Sequence, residues 1–200
     1  MKSIVVPKSG GGQDTLQINK NLILVGANGA GKTRFGSQIE QNNNPTRRIS
    51  AQRYLQLAEA VSKQDYTTAE NNLRGSFKNQ SPIQPQNDYQ QLMVSLFAQE
   101  SKRDSDYVAI AKTSKEKPEI PKSVKESVVE VWNFIFPYRT IKLENDRVRA
   151  ASEEGEFSGT EMSEGEKVGL YLISQVLLAE PNCIVIIDEP ELHLHKALMA

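Results

Sequence analysis

Hydrophobic and polar positions change period several times along the chain, and each change marks a predicted element. Residues 3–6 and 15–18 are short apolar-rich runs on either side of Gly10-Gly11-Gly12, which reads as two strands joined by a turn. Leu22-Ile23-Leu24-Val25 is apolar without alternation, the pattern of a strand buried on both faces. From Lys32 to about Gln41 the spacing suits a short helix. The polar run Gln41-Asn42-Asn43-Asn44-Pro45 ends it, because proline disfavours helix before it. Residues 48–51 can form the next strand.

Between about 54 and 131 the composition turns to Gln, Asn, Lys, Glu and Ser, with helical patterning over 54–73, 89–100 and 124–134. The segment reads as a largely helical insertion. Pro82, Pro85, Pro118 and Pro121 interrupt it, so no heptad pattern runs far enough for the long coiled coil of a chromosome-clamp protein.

Residues 140–143 read as a strand and 152–160 as a polar, glycine-containing loop. A helix is predicted over 163–179, with Ser163 as N-cap, Glu166 completing a capping box and Pro181 beyond its end. Residues 183–187 then have the composition of a fully buried strand. No internal repeat is present.

Bulk properties narrow the classes. Two hundred residues suffice for one well-cored domain, or for one domain with an insertion. With 24 basic against 25 acidic residues the net charge is −1, so no global field draws in nucleic acid or an anionic membrane, and any such contact is local. The apolar runs are strand-sized, well short of the roughly 20 residues that span a bilayer. Ile4, Val5 and Val6 before Pro7 are too few for a secretory signal core. The single cysteine, Cys183, suits a reducing interior, and the expected location is the cytoplasm.

Gly26-Ala27-Asn28-Gly29-Ala30-Gly31-Lys32-Thr33 satisfies G-x-x-x-x-G-K-[ST] at every fixed position, between a predicted strand and a predicted helix. Glycines let the backbone wrap phosphates with its N–H groups, and a helix N-terminus adds partial positive charge there. Lys32 is expected on the β and γ phosphates and Thr33 on Mg²⁺. The competing reading is an ordinary glycine-rich turn. A chance match in a chain of this length is on the order of one in a hundred.

Ile184-Val185-Ile186-Ile187-Asp188-Glu189-Pro190 carries the other half of such chemistry. An acidic residue must stand near the loop to hold the metal, and Asp188 is the candidate. Glu189 can orient or deprotonate an attacking water. Alone, the pair would read as a solvated turn after a strand.

Met162-Ser163-Glu164-Gly165-Glu166 opens the helix that leads into this strand. It resembles the signature segment of the ABC ATPase superfamily, departing from the commoner Leu-Ser-Gly-Gly-Gln at Glu164 and Glu166; the alternative is a plain helix cap. The resemblance implies that Ser163 and Gly165 contact the γ-phosphate bound by a second subunit. Two cores would then meet head to tail around two ATP molecules. Gln52 matches the position of the Mg²⁺-sensing glutamine of that superfamily, by placement alone.

Asp188-Glu189-Pro190-Glu191-Leu192-His193-Leu194-His195 resembles the non-transporter ABC ATPases of the overcoming-lysogenization-defect and RecF-like group. Arg48-Ile49-Ser50-Ala51-Gln52-Arg53 and the 162–167 segment are similar to ATPases associated with TOPRIM-like nucleases, including the PARIS type of anti-phage defence. The implied fold is α/β: a P-loop ABC-type nucleotide-binding core over 1–53 and 132–200, with the helical insertion at 54–131. The implied cofactors are ATP and Mg²⁺. The implied partners are a second copy of the chain, or a higher homo-oligomer, and a TOPRIM-like effector nuclease. The resemblance also implies a further strand with a switch histidine after the acidic strand, so a chain ending at Ala200 is expected to be a fragment that binds ATP but hydrolyses it poorly or not at all. His193 and His195 follow Glu189 too closely to serve as that switch, and their spacing of two does not share a helical face for zinc.

Arg47, Arg48 and Arg53 form the densest basic cluster, read as a solvated face or as a contact to phosphate or nucleic acid. Trp132, Phe134, Phe136 and Tyr138 are expected to fasten the insertion to the core. Two rival functions stay open: a RecF-like DNA-repair ATPase, and a non-hydrolysing nucleotide-sensing scaffold.

Overall fold

A computed structural model describes residues 2–19, 21–50, 56–78, 88–114 and 119–188. The chain is mixed α/β and separates into two compact units.

In the first unit, strands β1 (Lys2–Pro7) and β2 (Gln13–Ile18) form an antiparallel hairpin, Lys2 opposite Ile18 and Pro7 opposite Gln13. The turn needs glycine: Gly10, Gly11 and Gly12 all hold positive φ, at 87°, 101° and 89°. Helix α1 (Lys32–Asn42) packs on this hairpin and on the parallel pair β3 (Thr46–Ser50) and β7 (Ile184–Asp188). The β3–β7 register sets Thr46 beside Ile184 and Ser50 beside Asp188. Asn43 ties hairpin to helix: its amide donates to the Val5 and Ile39 carbonyls, and its Oδ1 accepts the Val5 N–H at 2.8 Å.

Two strand expectations change here. Residues 21–27 form no strand, and Leu22, Ile23, Leu24 and Val25 are 46, 82, 46 and 87% exposed. A strand exists only where a neighbour satisfies its amides and carbonyls, and among the described residues none pairs with this segment. The strand expected over 183–187 does form, one residue later, but it is only partly covered, with Ile187 41% exposed.

The second unit is built from α2 (Tyr66–Lys78), α3 (Asp88–Thr113), α4 (Val124–Ile135), α5 (Glu164–Leu177) and the antiparallel meander β4 (Thr140–Glu144), β5 (Arg147–Ser152), β6 (Gly155–Ser158). The helix expected from 54 starts only at Tyr66, where Asp65 Oδ1 accepts the Thr68 N–H at 3.0 Å, an N-cap that fixes the start. Just upstream, the Val61 N–H donates to the Asp146 carbonyl at 2.7 Å, holding that chain in a non-helical path. Helix α3 runs 26 residues, well past Glu100, and every residue from Leu92 to Ala98 is buried. A helix apolar all round belongs inside a core, and α2, α4 and α5 all pack on it.

The polar loop expected at 152–160 instead contains β6 and a single 3₁₀ turn, Gly159–Glu161, capped by Ser158. Residues 132–178, grouped by sequence with the nucleotide core, pack with the helices of the 54–131 segment. The reason lies in α4. Trp132 is fully buried, stacks on Phe136 with ring centroids 4.2 Å apart, and donates from its indole N–H to the Arg139 carbonyl. Phe136 in turn presses on α5 at Gly169. Phe134 and Tyr138, expected in the same fastening, are each 86% exposed, because only Trp132 and Phe136 of the four face α5.

Candidate functional site

The glycine-rich loop is made by local backbone rules. Ala30 N–H donates to the Ala27 carbonyl at 3.1 Å, closing a turn through Asn28 and Gly29. Gly29 (φ 80°) and Gly31 (φ 90°) take left-handed conformations that a side chain would strain. Gly31 stands at the N-cap of α1, where no side chain caps the helix and no acidic residue occupies the first turn. The first N–H groups of α1 therefore have no side-chain acceptor, which is what an anion requires. Lys32 folds across the loop, its Nζ donating to the carbonyls of Gly26 at 2.8 Å and Ala27 at 3.2 Å. The Thr33 side chain is exposed one residue on.

Asp188 ends β7 and faces the same helix. Its Oδ1 lies 3.6 Å from where a Cβ on Gly36 would stand, one turn beyond Thr33. Its Oδ2 accepts from Arg48 Nε at 2.8 Å and from Arg48 Nη2. The remaining terminal nitrogen, Nη1, donates to Ser37 Oγ at 2.6 Å, and Ser37 Oγ donates to the Thr33 carbonyl at 3.1 Å. Glu40 Oε2 stands 4.0 Å from Arg48 Nη1. Burial raises the Glu40 pKa above the usual carboxylate range; Arg48 opposes that shift and the Asp188 charge adds to it. Arg48 is thus no solvated surface charge: its side chain is 15% exposed and that of Asp188 17%. A charged residue next to Ile49 within a predicted strand was the available signal of a buried partner.

Ser163 and Gly165 belong to the second unit. Ser163 caps α5 reciprocally with Glu166: its Oγ accepts the Glu166 N–H at 3.3 Å and donates to Glu166 Oε2 at 2.7 Å, while its own N–H donates to that oxygen at 2.8 Å. Arg139 Nε donates to Glu166 Oε1 at 3.1 Å, so both oxygens of this glutamate have structural partners. Gly165 lies in the first turn of α5, and the exposed Glu164 pairs with Lys167 at 3.4 Å.

Gln52, Arg53, Glu189, His193 and His195 lie outside the described residues. Among the described residues no three His, Cys, Asp or Glu side chains gather as a metal cluster, and no helix is long and apolar enough to cross a membrane. Comparison with known proteins matches no family model, no curated protein and no solved structure.

Proposed function

We propose that the chain is an ATP-binding and hydrolysing ATPase of the ABC type, whose ATP-dependent dimerisation controls an effector nuclease in anti-phage defence. The observation that carries the reading is the loop of residues 26–33: a complete phosphate-binding motif, opening a helix without a side-chain cap, with a lysine amine over it and an aspartate facing that helix. The resemblance of the 162–167 segment supports the dimer, and that of the 48–53 and 162–167 segments supports the defence role.

In this reading the loop amides take the phosphate oxygens, and the Lys32 amine exchanges the Gly26 and Ala27 carbonyls for them. The residue types fit a magnesium ion shared with nucleotide: a hydroxyl at Thr33 and one carboxylate at Asp188 are donors of the kind Mg²⁺ uses beside phosphates. Bound Mg²⁺ would neutralise charge developing on the phosphates. Glu189 orients water toward the γ-phosphate, Gln52 senses the metal, and Ser163 with Gly165 completes the site of a second copy.

The test is ATP binding, turnover and assembly of the purified protein beside Lys32→Ala and Glu189→Gln. Binding weakened about 10- to 100-fold in the first and retained binding without turnover in the second are expected. Equal, measurable turnover in all three sinks the mechanism, and tight binding by a wild type that never turns ATP over assigns the sensing scaffold instead. Turnover that rises only with DNA assigns the repair reading.

A further inference from the structure

We infer that Arg48 is a positioning residue for the cation-binding carboxylate: it clamps one oxygen of Asp188 and leaves the other directed at helix α1. The inference rests on the nucleotide-binding reading above and goes beyond it, since a basic residue beside an acidic ligand is no part of the phosphate-loop motif.

Three observations carry it. Both Arg48 hydrogen bonds to Asp188 end on Oδ2, whereas Oδ1 is the oxygen near Gly36. A guanidinium that simply masked the carboxylate would span both oxygens, as the planar fork does in bidentate pairs. Magnesium takes one oxygen from a carboxylate and demands near-octahedral directions, so pinning the other oxygen fixes the direction that matters.

Next, the guanidinium is itself anchored. Its Nη1 donates to Ser37 Oγ, and Ser37 donates to the carbonyl of Thr33, the residue whose hydroxyl is the other proposed ligand. A continuous chain of hydrogen bonds therefore joins Asp188 to the backbone of Thr33.

The charge balance points the same way. Glu40 and Asp188 flank one guanidinium, with both ends of the Arg48–Asp188 pair largely withdrawn from water. Two carboxyl groups thus share one guanidinium, Asp188 by hydrogen bonds and Glu40 at ion-pair distance. A buried pair of this kind is costly to form, so a solvated-surface role does not account for it.

The experiment measures ATP affinity by calorimetry, once in EDTA and once in Mg²⁺, for the wild type, Arg48→Ala, Arg48→Lys and Asp188→Asn. The ratio of the two affinities reports the coupling between cation and nucleotide, independently of turnover. Asp188→Asn should lose the coupling. Arg48→Ala should lose about 10-fold or more of it, the usual cost of removing a group that orients a ligand, with the EDTA affinity unchanged. Lysine keeps the charge without the fork, so Arg48→Lys should lose coupling in the same direction. Coupling at the wild-type level in both Arg48 variants, with Asp188→Asn defective, overturns the inference and leaves the nucleotide reading standing. Stronger coupling in Arg48→Ala also overturns it and makes Arg48 a competitor of the cation. Should Arg48→Ala melt below the assay temperature, Arg48→Lys, checked by circular dichroism, carries the same outcomes. A wild type that binds no ATP in either buffer removes the nucleotide reading together with the inference.

Discussion

The ring of Phe136 occupies the space where a side chain on Gly169 would begin: a Cβ there would stand 2.7 Å from Phe136 Cζ. The ring cannot simply swing aside, because its other face is stacked on the buried Trp132. Gly169→Ala sets two effects against each other. Removing a mid-helix glycine favours the helix by about 1 kcal/mol. Overpacking a contact of this kind costs about 1–3 kcal/mol. The expected result is a net loss of about 1 kcal/mol, read by urea denaturation. Phe136→Leu in the Gly169→Ala background should recover part of it.

The capping box of α4 gives a prediction with a pH sign. Ser123 Oγ accepts the Glu126 N–H at 3.0 Å, and the Ser123 N–H donates to Glu126 Oε2 at 2.8 Å. Ser123→Ala should destabilise by about 1 kcal/mol. That backbone hydrogen bond, with Arg103 adding, lowers the Glu126 pKa below its ordinary value. A carboxylate lowered on folding stabilises above its unfolded pKa, and the contribution disappears as pH falls through the folded value. Melting temperatures of wild type and Glu126→Ala should therefore differ at pH 7 and converge near pH 2. A gap that persists in acid would show that packing, not charge, makes the difference.

The turn between β4 and β5 explains part of what sequence reading missed. Asn145 (φ 52°) and Asp146 (φ 57°) form a two-residue hairpin with both centres left-handed, a conformation those two residue types tolerate. Asp146→Val should cost about 1–2 kcal/mol through backbone strain. The Lys63–Asp146 pair adds little, since Lys63 is 83% exposed. Asp146→Gly loses the same ion pair yet should retain stability, which separates backbone from charge in a thermal melt.

That hairpin was legible in principle. Val148 and Ala150 alternate inward behind an Asn-Asp turn, but small residues and flanking arginines weaken the period-2 signal that strand reading depends on. Elements with strong local rules were read within a few residues: the glycine turn of β1–β2, α1, α4 and the Ser163 cap. Elements set by distant contacts fared unevenly: β3 and β7 formed within two residues of their expected positions, whereas residues 22–25 formed no strand. The four apolar residues 22–25 have the composition of a buried strand, but a strand is made by its neighbours, and composition does not supply them. The Arg48–Asp188 pair spans 140 positions in sequence, and only the parallel register of β3 on β7 brings it together. The turn at residues 27–30 and the start of α1 at Lys32 were the opposite case, since the glycines and spacing that set them are local.

Lys32→Ala separates binding from folding. The loop is exposed, and the hydrogen bonds from Lys32 to Gly26 and Ala27 are solvent-facing, so the variant should melt within about 1 kcal/mol of wild type. Losing a charged hydrogen-bond donor to phosphate should weaken ATP about 10- to 100-fold. Calorimetry beside a thermal melt reads both quantities. Unchanged ATP affinity would remove the loop from the site.

Ser163 has a structural role, so its chemical role must be separated from capping. The hydroxyl already caps α5, and Ser163→Ala should cost about 1 kcal/mol whatever else the residue does. Asparagine caps a helix about as well as serine but carries its N–H donors on a longer, bulkier amide, away from where the serine hydroxyl stands. The pair Ser163→Ala and Ser163→Asn therefore divides the two roles. If Ser163 also serves the γ-phosphate of a second copy, both variants lose ATP-dependent dimerisation in light-scattering measurements, although Ser163→Asn melts like wild type. Mixing either variant with Lys32→Ala tests the head-to-tail geometry further. In such a mixed dimer both lesions fall on one of the two shared sites, leaving the other with an intact loop and an intact Ser163, so the mixture should regain part of the turnover that neither variant has alone. Wild-type dimerisation by Ser163→Asn would leave the segment with its capping role only.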